Sequence, residues 1–206
     1  YWDQNGERVT ENLRGANSRV IMDRAVPFVR QAAKNGQPFF VVIWFHTPHL
    51  PVVAGPDHVR PYANHGVLAR NYYGCVSAMD EQVGRFRSEL KKLGVEANTM
   101  HWFCSDNGPE GNKAAPGSAG PFRGRKRSLY EGGVRVPGLL TWPAKVKPSS
   151  VTPFPAVTSD YLPTISDALG FSLPSRPMDG ISLLPLLEGK MKERPEPIAF
   201  ESKGKV

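Results

Sequence analysis

Residues 38–45, which read PFFVVIWF, constrain the fold of this chain more than any other stretch of its sequence. They form a continuous run of apolar, β-favouring side chains, which is typical of a strand buried on both faces. Such a strand requires helices above and below the sheet. We therefore predict an α/β fold, in which a mixed, mostly parallel sheet is covered by helices on both faces.

Two amphipathic helices are predicted around this run. In residues 16–35 the apolar side chains recur every three or four residues, and Pro27 predicts a kink or break. The predicted apolar face of this helix consists of Ile21, Ala25, Phe28 and Ala32. Residues 69–93 have a longer stripe of the same spacing, made of Tyr72, Val76, Met79, Val83, Phe86, Leu90 and Leu93. Gly36 and Gly94 are expected to end the two helices.

Further apolar runs predict two more strands and a third helix. NTMHWFCSD (98–106) and VPGLLTW (136–142) are the strand candidates. Ser159 or Asp160 can cap a helix whose first turns tolerate Pro163. The apolar face of that helix is predicted to consist of Tyr161, Leu162, Ile165 and Leu169.

Polar clusters follow the first two predicted strands, where the chemistry of α/β sheets usually lies. HTPHLP (46–51) places His46 and His49 beside two prolines, which is typical either of a rigid loop or of a proton donor held in place. Asp106 and Asn107 precede a glycine, which suits a turn, but their side chains also offer two oxygen ligands to a hard cation. The residues themselves leave both alternatives open.

A basic loop, GPFRGRKRSLYEGGVRVP (120–137), precedes the third strand. Its cations are Arg123, Arg125, Lys126 and Arg127. Such a run is often a solvated loop or a nucleic-acid patch. Because LYEGGVRVP leads directly into a strand, we instead predict that the loop folds against the body of the protein.

The composition narrows the class of protein and its partners. The 206 residues are 40% hydrophobic, enough for one domain or most of a larger one, and their net charge of +7 favours anionic partners. The sequence contains no run of 18 apolar residues that would predict a membrane span.

Cys75 and Cys104 could form at most one disulfide, and the apolar strand pattern favours a buried free thiol at Cys104. The chain starts at Tyr1 without a signal-peptide pattern, so we expect an excerpt of a longer protein.

The order of these motifs resembles the sulfatase family of the alkaline-phosphatase-like superfamily. The resemblance covers most of residues 25–190 and continues through SDYLPTISDALG and MDGISLLPLLEG. It implies that residues 1–206 are the central to C-terminal part of one catalytic domain, with 1–15 and 191–206 as peripheral segments. The implied fold is alkaline-phosphatase-like and incomplete.

The resemblance also implies roles for four residues. Asp106 and Asn107 would bind a divalent cation, usually Ca²⁺, with Mg²⁺ as an alternative. His49 would contact the sulfate or assist the departing oxygen, and Lys126 would bind a sulfate oxygen. The implied activity is sulfuric ester hydrolysis on a sulfated small molecule or polysaccharide, not on nucleic acid or at a membrane, in the periplasm or outside the cell.

One part of the family pattern is not matched. The formylglycine nucleophile and a pair of aspartates would lie in an N-terminal segment outside this chain, so residues 1–206 are expected to be inactive alone. Ser172 begins SLPSR, which fits the Ser-x-Pro-x-Arg nucleophile signature, but it follows every other motif instead of preceding them. We therefore interpret Ser172 as a chance match.

Two other functions remain open. One is a phosphoesterase of the same superfamily, although its zinc-dependent members tend to have Asp-His where this chain has Asp106 and Asn107. The other is a non-catalytic module that binds polyanions through the basic loop.

Overall fold

The computed structural model describes residues 3–202. In that part of the chain the α-helices are α1 (Asn17–Lys34), α2 (Pro56–Val59), α3 (Val67–Lys92), α4 (Glu131–Val134), α5 (Tyr161–Leu169) and α6 (Leu184–Leu187). The strands are β1 (Asp3–Gln4), β2 (Glu7–Arg8), β3 (His101–Cys104) and β4 (Gly138–Thr141). β1 pairs antiparallel with β2, and β3 pairs with β4. The predicted second and third strands are therefore confirmed as β3 and β4.

The chain divides into two compact units. Of the described residues, 3–99 and 103–138 form the first unit, and 100–102 and 139–202 form the second. The histidine loop, the Asp106–Asn107 pair and the basic loop all belong to the first unit. That all of these residues are part of one catalytic domain stays a prediction.

The core of the first unit lies between α1 and α3. Met22, Val26 and Val29 of α1 are buried together with Phe86 and Leu90 of α3. α1 continues through Pro27, so the helix does not break there, and a kink at Pro27 stays a prediction. Both helices end where expected, because Gly36 and Gly94 follow them with positive φ.

The predicted apolar faces of these helices are only partly correct. On α1, Phe28 was predicted to be buried but is 54% exposed. The buried side chains are those of Met22 and Val29, which directly follow the predicted residues Ile21 and Phe28. On α3, Phe86 and Leu90 are buried as predicted, but Cys75, Ala78 and Gln82, which are not members of the predicted face, are buried too. Each helix carries apolar side chains around a wide arc, so spacing alone does not select the buried face.

Residues 38–45 do not form the predicted strand. Phe39, Val41, Ile43 and Phe45 pack against the core of α1 and α3. The alternate side chains of Phe40, Val42 and Trp44 are exposed, and Trp44 is 85% accessible. A strand requires a hydrogen-bonded neighbour, and none of the residues from 3 to 202 pairs with this segment. The expectation of burial on both faces is therefore wrong for the part of the chain that the structure describes.

The second unit is organised around a buried carboxylate. Asp160, at the start of α5, accepts two hydrogen bonds from the guanidinium of Arg194, at 2.8 and 2.9 Å. The backbone amides of Val157 and Ile181 also donate to it, each at 2.9 Å. The side chain of Asp160 is 0% exposed and that of Arg194 is 6% exposed. Arg194 thus anchors a segment that was expected to be peripheral.

The buried face of α5 also differs from the prediction. Leu162 and Leu169 are exposed, and the buried residues are Pro163, Thr164 and Ser166. The Thr164 hydroxyl donates to the Asp160 carbonyl oxygen at 2.6 Å and accepts the Leu183 amide at 2.9 Å. Hydrogen bonding, which apolar spacing does not report, therefore determines how this helix packs.

Candidate active site

The histidine loop follows residues 38–45 and contains cis peptide bonds at Thr47-Pro48 and Leu50-Pro51. The His49 amide donates to the His46 carbonyl at 2.8 Å, and the two imidazole centroids are 5.2 Å apart. His49 Nδ1 lies 2.7 Å from the Leu50 carbonyl oxygen. Because a carbonyl oxygen only accepts, Nδ1 carries a proton in this hydrogen bond.

A cavity of about 190 Å³ lies beside the two histidines. Asn17 and Cys75 contribute to its lining, and the Thr47 hydroxyl donates to Asn17 Oδ1 at 3.2 Å. The Cys75 thiol donates to the Val53 carbonyl at 3.1 Å, and burial raises the pKa of Cys75. The thiol therefore stays protonated and is a poor nucleophile. Cys75 and Cys104 are both free thiols, and Cys104, for which the strand pattern favoured burial, is half-buried.

Asp106 and Asn107 form the polar turn that follows β3. Asp106 Oδ1 accepts the Asn107 backbone amide at 2.9 Å, and the Asn107 side-chain amide donates to the Gly108 carbonyl at 3.0 Å. The Ser105 hydroxyl donates to the Asn107 carbonyl at 3.0 Å. These bonds fix both side chains and leave Asp106 Oδ2 and Asn107 Oδ1 without a hydrogen bond from any described residue. The turn interpretation and the metal interpretation are thus compatible.

Lys126 lies at the tip of a turn in the basic loop. The Ser128 amide closes that turn by donating to the Arg125 carbonyl at 2.9 Å. Lys126 is half-buried, and its backbone amide donates to the Pro109 carbonyl at 3.1 Å. Within residues 3–202 its ammonium group forms no ion pair, although its charge helps to lower the pKa of the Glu110 carboxyl. The backbone of Lys126 is therefore tied to Pro109, two residues after Asn107.

The turn at 105–108 and the basic loop interlock through glycine. The Gly108 amide donates to the Gly133 carbonyl at 2.8 Å, and a Cβ on Gly108 would overlap the Gly132 carbonyl oxygen. The Gly132 amide in turn donates to the Arg123 carbonyl at 2.8 Å. Side chains at these positions would force the two segments apart. The expectation that the basic loop folds against the protein is confirmed.

Two of the loop arginines are used inside this arrangement. Arg125 donates to the main-chain carbonyls of Glu110 and Gly111, each at 3.3 Å. Arg127 forms an ion pair with Glu110 at 2.9 Å, and this bond lowers the pKa of the Glu110 carboxyl. Arg127 has a φ of 75°, a conformation that costs a non-glycine residue about 1–2 kcal/mol. Sequence reasoning missed Glu110, because no local pattern pairs residues 17 positions apart.

The oxygen donors of the turn fit a hard cation. A carboxylate and an amide carbonyl are the ligand types that Ca²⁺ and Mg²⁺ prefer, whereas Zn²⁺ favours imidazole and thiolate. In the described part of the chain, no three His, Cys, Asp or Glu side chains come together as a metal cluster. Asp106 and Asn107 would supply two of the six to eight oxygens that Ca²⁺ takes.

Ser172 lies outside this arrangement. It belongs to the second unit, in an exposed stretch that follows α5. Across residues 3–202 the structure gives its hydroxyl no histidine or carboxylate partner that could activate it. This environment agrees with the interpretation of Ser172 as a chance match.

Comparison with known proteins identifies the family. The family model described as Sulfatase matches residues 1–171 of the 206. The chain belongs to the sulfatase family. It is 34% identical to arylsulfatase G of Rattus norvegicus over 192 residues, which cover 87% of this chain and 35% of that protein. It is also 34% identical to the uncharacterized sulfatase YdeN of Escherichia coli (strain K12), over 93% of this chain and 34% of YdeN. The chain thus spans about a third of the length of these curated relatives.

Structural comparison confirms the fold class of this sulfatase chain. The crystal structure of Ps i-CgsB in complex with k-i-k-neocarrahexaose matches with a TM-score of 0.83 and 30% identity. The match covers 90% of this chain and 41% of that one. The alkaline-phosphatase-like α/β class is therefore correct, and the described residues form part of it with short sheets. In those residues no helix is long and apolar enough to cross a bilayer.

Proposed function

We propose that the protein hydrolyses sulfuric esters and that this chain contributes His49, Lys126 and the Asp106–Asn107 pair to its active site. The observation that supports this proposal is the position of Lys126. The residue is half-buried and forms no ion pair within residues 3–202, and its backbone amide donates to the carbonyl of Pro109, two residues after Asn107. A lysine and a cation held at Asp106 and Asn107 could together bind one anionic group.

Each of these residues has a distinct task. Lys126 offsets negative charge on a sulfate oxygen. His49, in its doubly protonated form, gives the Nε2 proton to the leaving oxygen and keeps the Nδ1 proton that it donates to Leu50. Asp106 and Asn107 would hold Ca²⁺, with Mg²⁺ as an alternative, and such a cation would supply Lewis-acid chemistry at the S–O group. The formylglycine nucleophile is expected outside this chain.

The rival functions have less support. Asn107 favours calcium, and hence sulfate, over the zinc chemistry of phosphoesterases. A polyanion-binding module would use the whole run of loop cations, but Arg125 and Arg127 are used inside the protein, which leaves Arg123 and Lys126. The saccharide bound to Ps i-CgsB supports a sulfated saccharide substrate. We also propose a periplasmic or secreted location.

The experiment compares Lys126→Ala with Arg127→Ala in the complete protein, using a chromogenic aryl sulfate, an aryl phosphate and added Ca²⁺. Loss of a group that stabilises the transition-state charge should lower sulfate turnover by roughly 10²-fold in Lys126→Ala. Arg127→Ala removes an exposed ion pair and should cost less than about tenfold. Equal losses in the two variants, or preferred turnover of the phosphate ester, would contradict the proposal.

A further inference from the structure

The cations of the basic loop differ in what they contact. Arg125 and Arg127 are committed to the Glu110–Gly111 segment, and Lys126 lies at the turn tip. Arg123 is exposed, and among the described residues it has no carboxylate partner. Its guanidinium carbon is instead 3.8 Å from the centroid of the Tyr130 ring. One arginine of the run is therefore oriented by an aromatic ring without being neutralised by an acid.

This stack leaves the guanidinium suited to an external anion. A guanidinium lying over a ring keeps its N–H groups in its own plane, where they can donate in pairs to a carboxylate or sulfate. Tyr130 is 51% exposed, so the stacked pair is open to solvent. Holding the side chain in place beforehand also lowers the entropic cost of binding an anion.

Arg123 is attached to the same block of structure as the proposed cation site. Its carbonyl accepts the Gly132 amide at 2.8 Å, and the Gly132 carbonyl packs directly against Gly108, the residue after Asn107. Arg123 also lies only three residues before Lys126 in the sequence. The backbones of Arg123 and of the Asp106–Asn107 turn are therefore held in one hydrogen-bonded arrangement.

We infer that Arg123, held over Tyr130, binds a second anionic group of the substrate, a sulfate or a carboxylate, so that the substrate carries at least two negative charges. The inference rests on the proposed function, since it assigns the reacting sulfate to Lys126. An aryl sulfate has one anionic group and cannot use both positions. The net charge of +7 agrees with a polyanionic partner.

The test is a calorimetric titration of the complete protein with three probes built on one neutral disaccharide. The probes carry one sulfonate, two sulfonates, or one sulfonate and one carboxylate. Sulfonates replace sulfate esters so that nothing is hydrolysed. A charge-assisted contact should make the wild type bind a doubly charged probe about tenfold or more tightly than the singly charged one. The two doubly charged probes distinguish sulfate from carboxylate.

Variants assign that preference to a residue. The preference is the ratio of the affinities for the doubly and singly charged probes. Arg123→Ala should reduce this ratio to about one, and Tyr130→Ala should lower it. Tyr130→Phe should keep the ratio of the wild type, because the aromatic ring remains. Arg135→Ala is the matched control, since Arg135 lies 4.4 Å from the Phe122 ring but is already paired with Glu131 at 2.9 Å. It should retain the preference of the wild type.

Three results would overturn the inference: no preference in the wild type, a preference that persists in Arg123→Ala, or an equal loss in Arg135→Ala. A Lys126→Ala variant separates this inference from the proposed function. If Lys126→Ala leaves binding of the singly charged probe unchanged, the proposed function fails. If Lys126→Ala weakens that binding while Arg123→Ala leaves the preference intact, only the present inference fails.

Discussion

Replacing Asp160 by Asn is expected to destabilise the second unit strongly. Each carboxylate oxygen of Asp160 accepts one backbone amide and one Arg194 nitrogen. An Asn side chain keeps one oxygen and presents an NH₂ group where the other was, so two donors lose their acceptor. Arg194 would also remain buried without a countercharge. Removing one partner of a buried ion pair costs about 3–5 kcal/mol.

Thermal unfolding of the complete protein, followed by circular dichroism, measures this effect. At roughly 2–4 °C per kcal/mol for a chain of 150–250 residues, the midpoint should fall by about 6–20 °C, and by less in a longer protein. Asp167→Asn is the control, because Asp167 lies on the same helix but is exposed and accepts one hydroxyl, from Ser182. It should cost less than about 1 kcal/mol. Equal midpoints for the two variants would refute the reasoning.

The same pair predicts a dependence on pH. Burial by itself raises the pKa of Asp160, but the hydrogen bonds from Arg194, Ile181 and Val157 lower it below its ordinary value. A carboxyl whose pKa is depressed by folding stabilises the protein fully above its unfolded pKa of about 4. That contribution is lost as the pH falls through the lower, folded pKa. The stability difference between wild type and Asp160→Asn should therefore shrink below about pH 4, and a constant difference would argue against the ion pair.

Three further predictions concern the site. Asp106→Ala should abolish sulfatase activity of the complete protein and weaken Ca²⁺ binding while the fold stays intact, because one hard ligand is lost. If calorimetry shows an unchanged Ca²⁺ affinity, Asp106 only shapes the turn. His49→Ala should lower turnover about a hundredfold or more, and His46→Ala far less, since His49 is the proposed proton donor. Equal losses of turnover in the two variants would contradict the choice of His49. Residues 1–206 alone should hydrolyse no aryl sulfate in the presence of Ca²⁺, because the nucleophile is expected elsewhere. Turnover that disappears in Ser172→Ala would show that the chance match is the nucleophile.

Local sequence patterns were sufficient to predict the three longest helices, two of the strands and the family. The spacing of apolar residues predicted α1 and α3, and Gly36 and Gly94 end them as expected, because helix formation and its termination depend on neighbouring residues. The polar turn after β3 could be located for the same reason. The order of several such motifs then made the family recognisable.

Contacts between distant residues determined the rest. Spacing could not select Met22 over Ile21 on α1, because both are apolar and only packing against Phe86 distinguishes them. Likewise, the basic loop reads as four equivalent cations until folding places Glu110 beside Arg127 and leaves Arg123 over a tyrosine ring. A side chain's sequence neighbours determine the shape of the backbone around it. Which charge is neutralised and which remains available to a substrate depends on residues that only folding brings close.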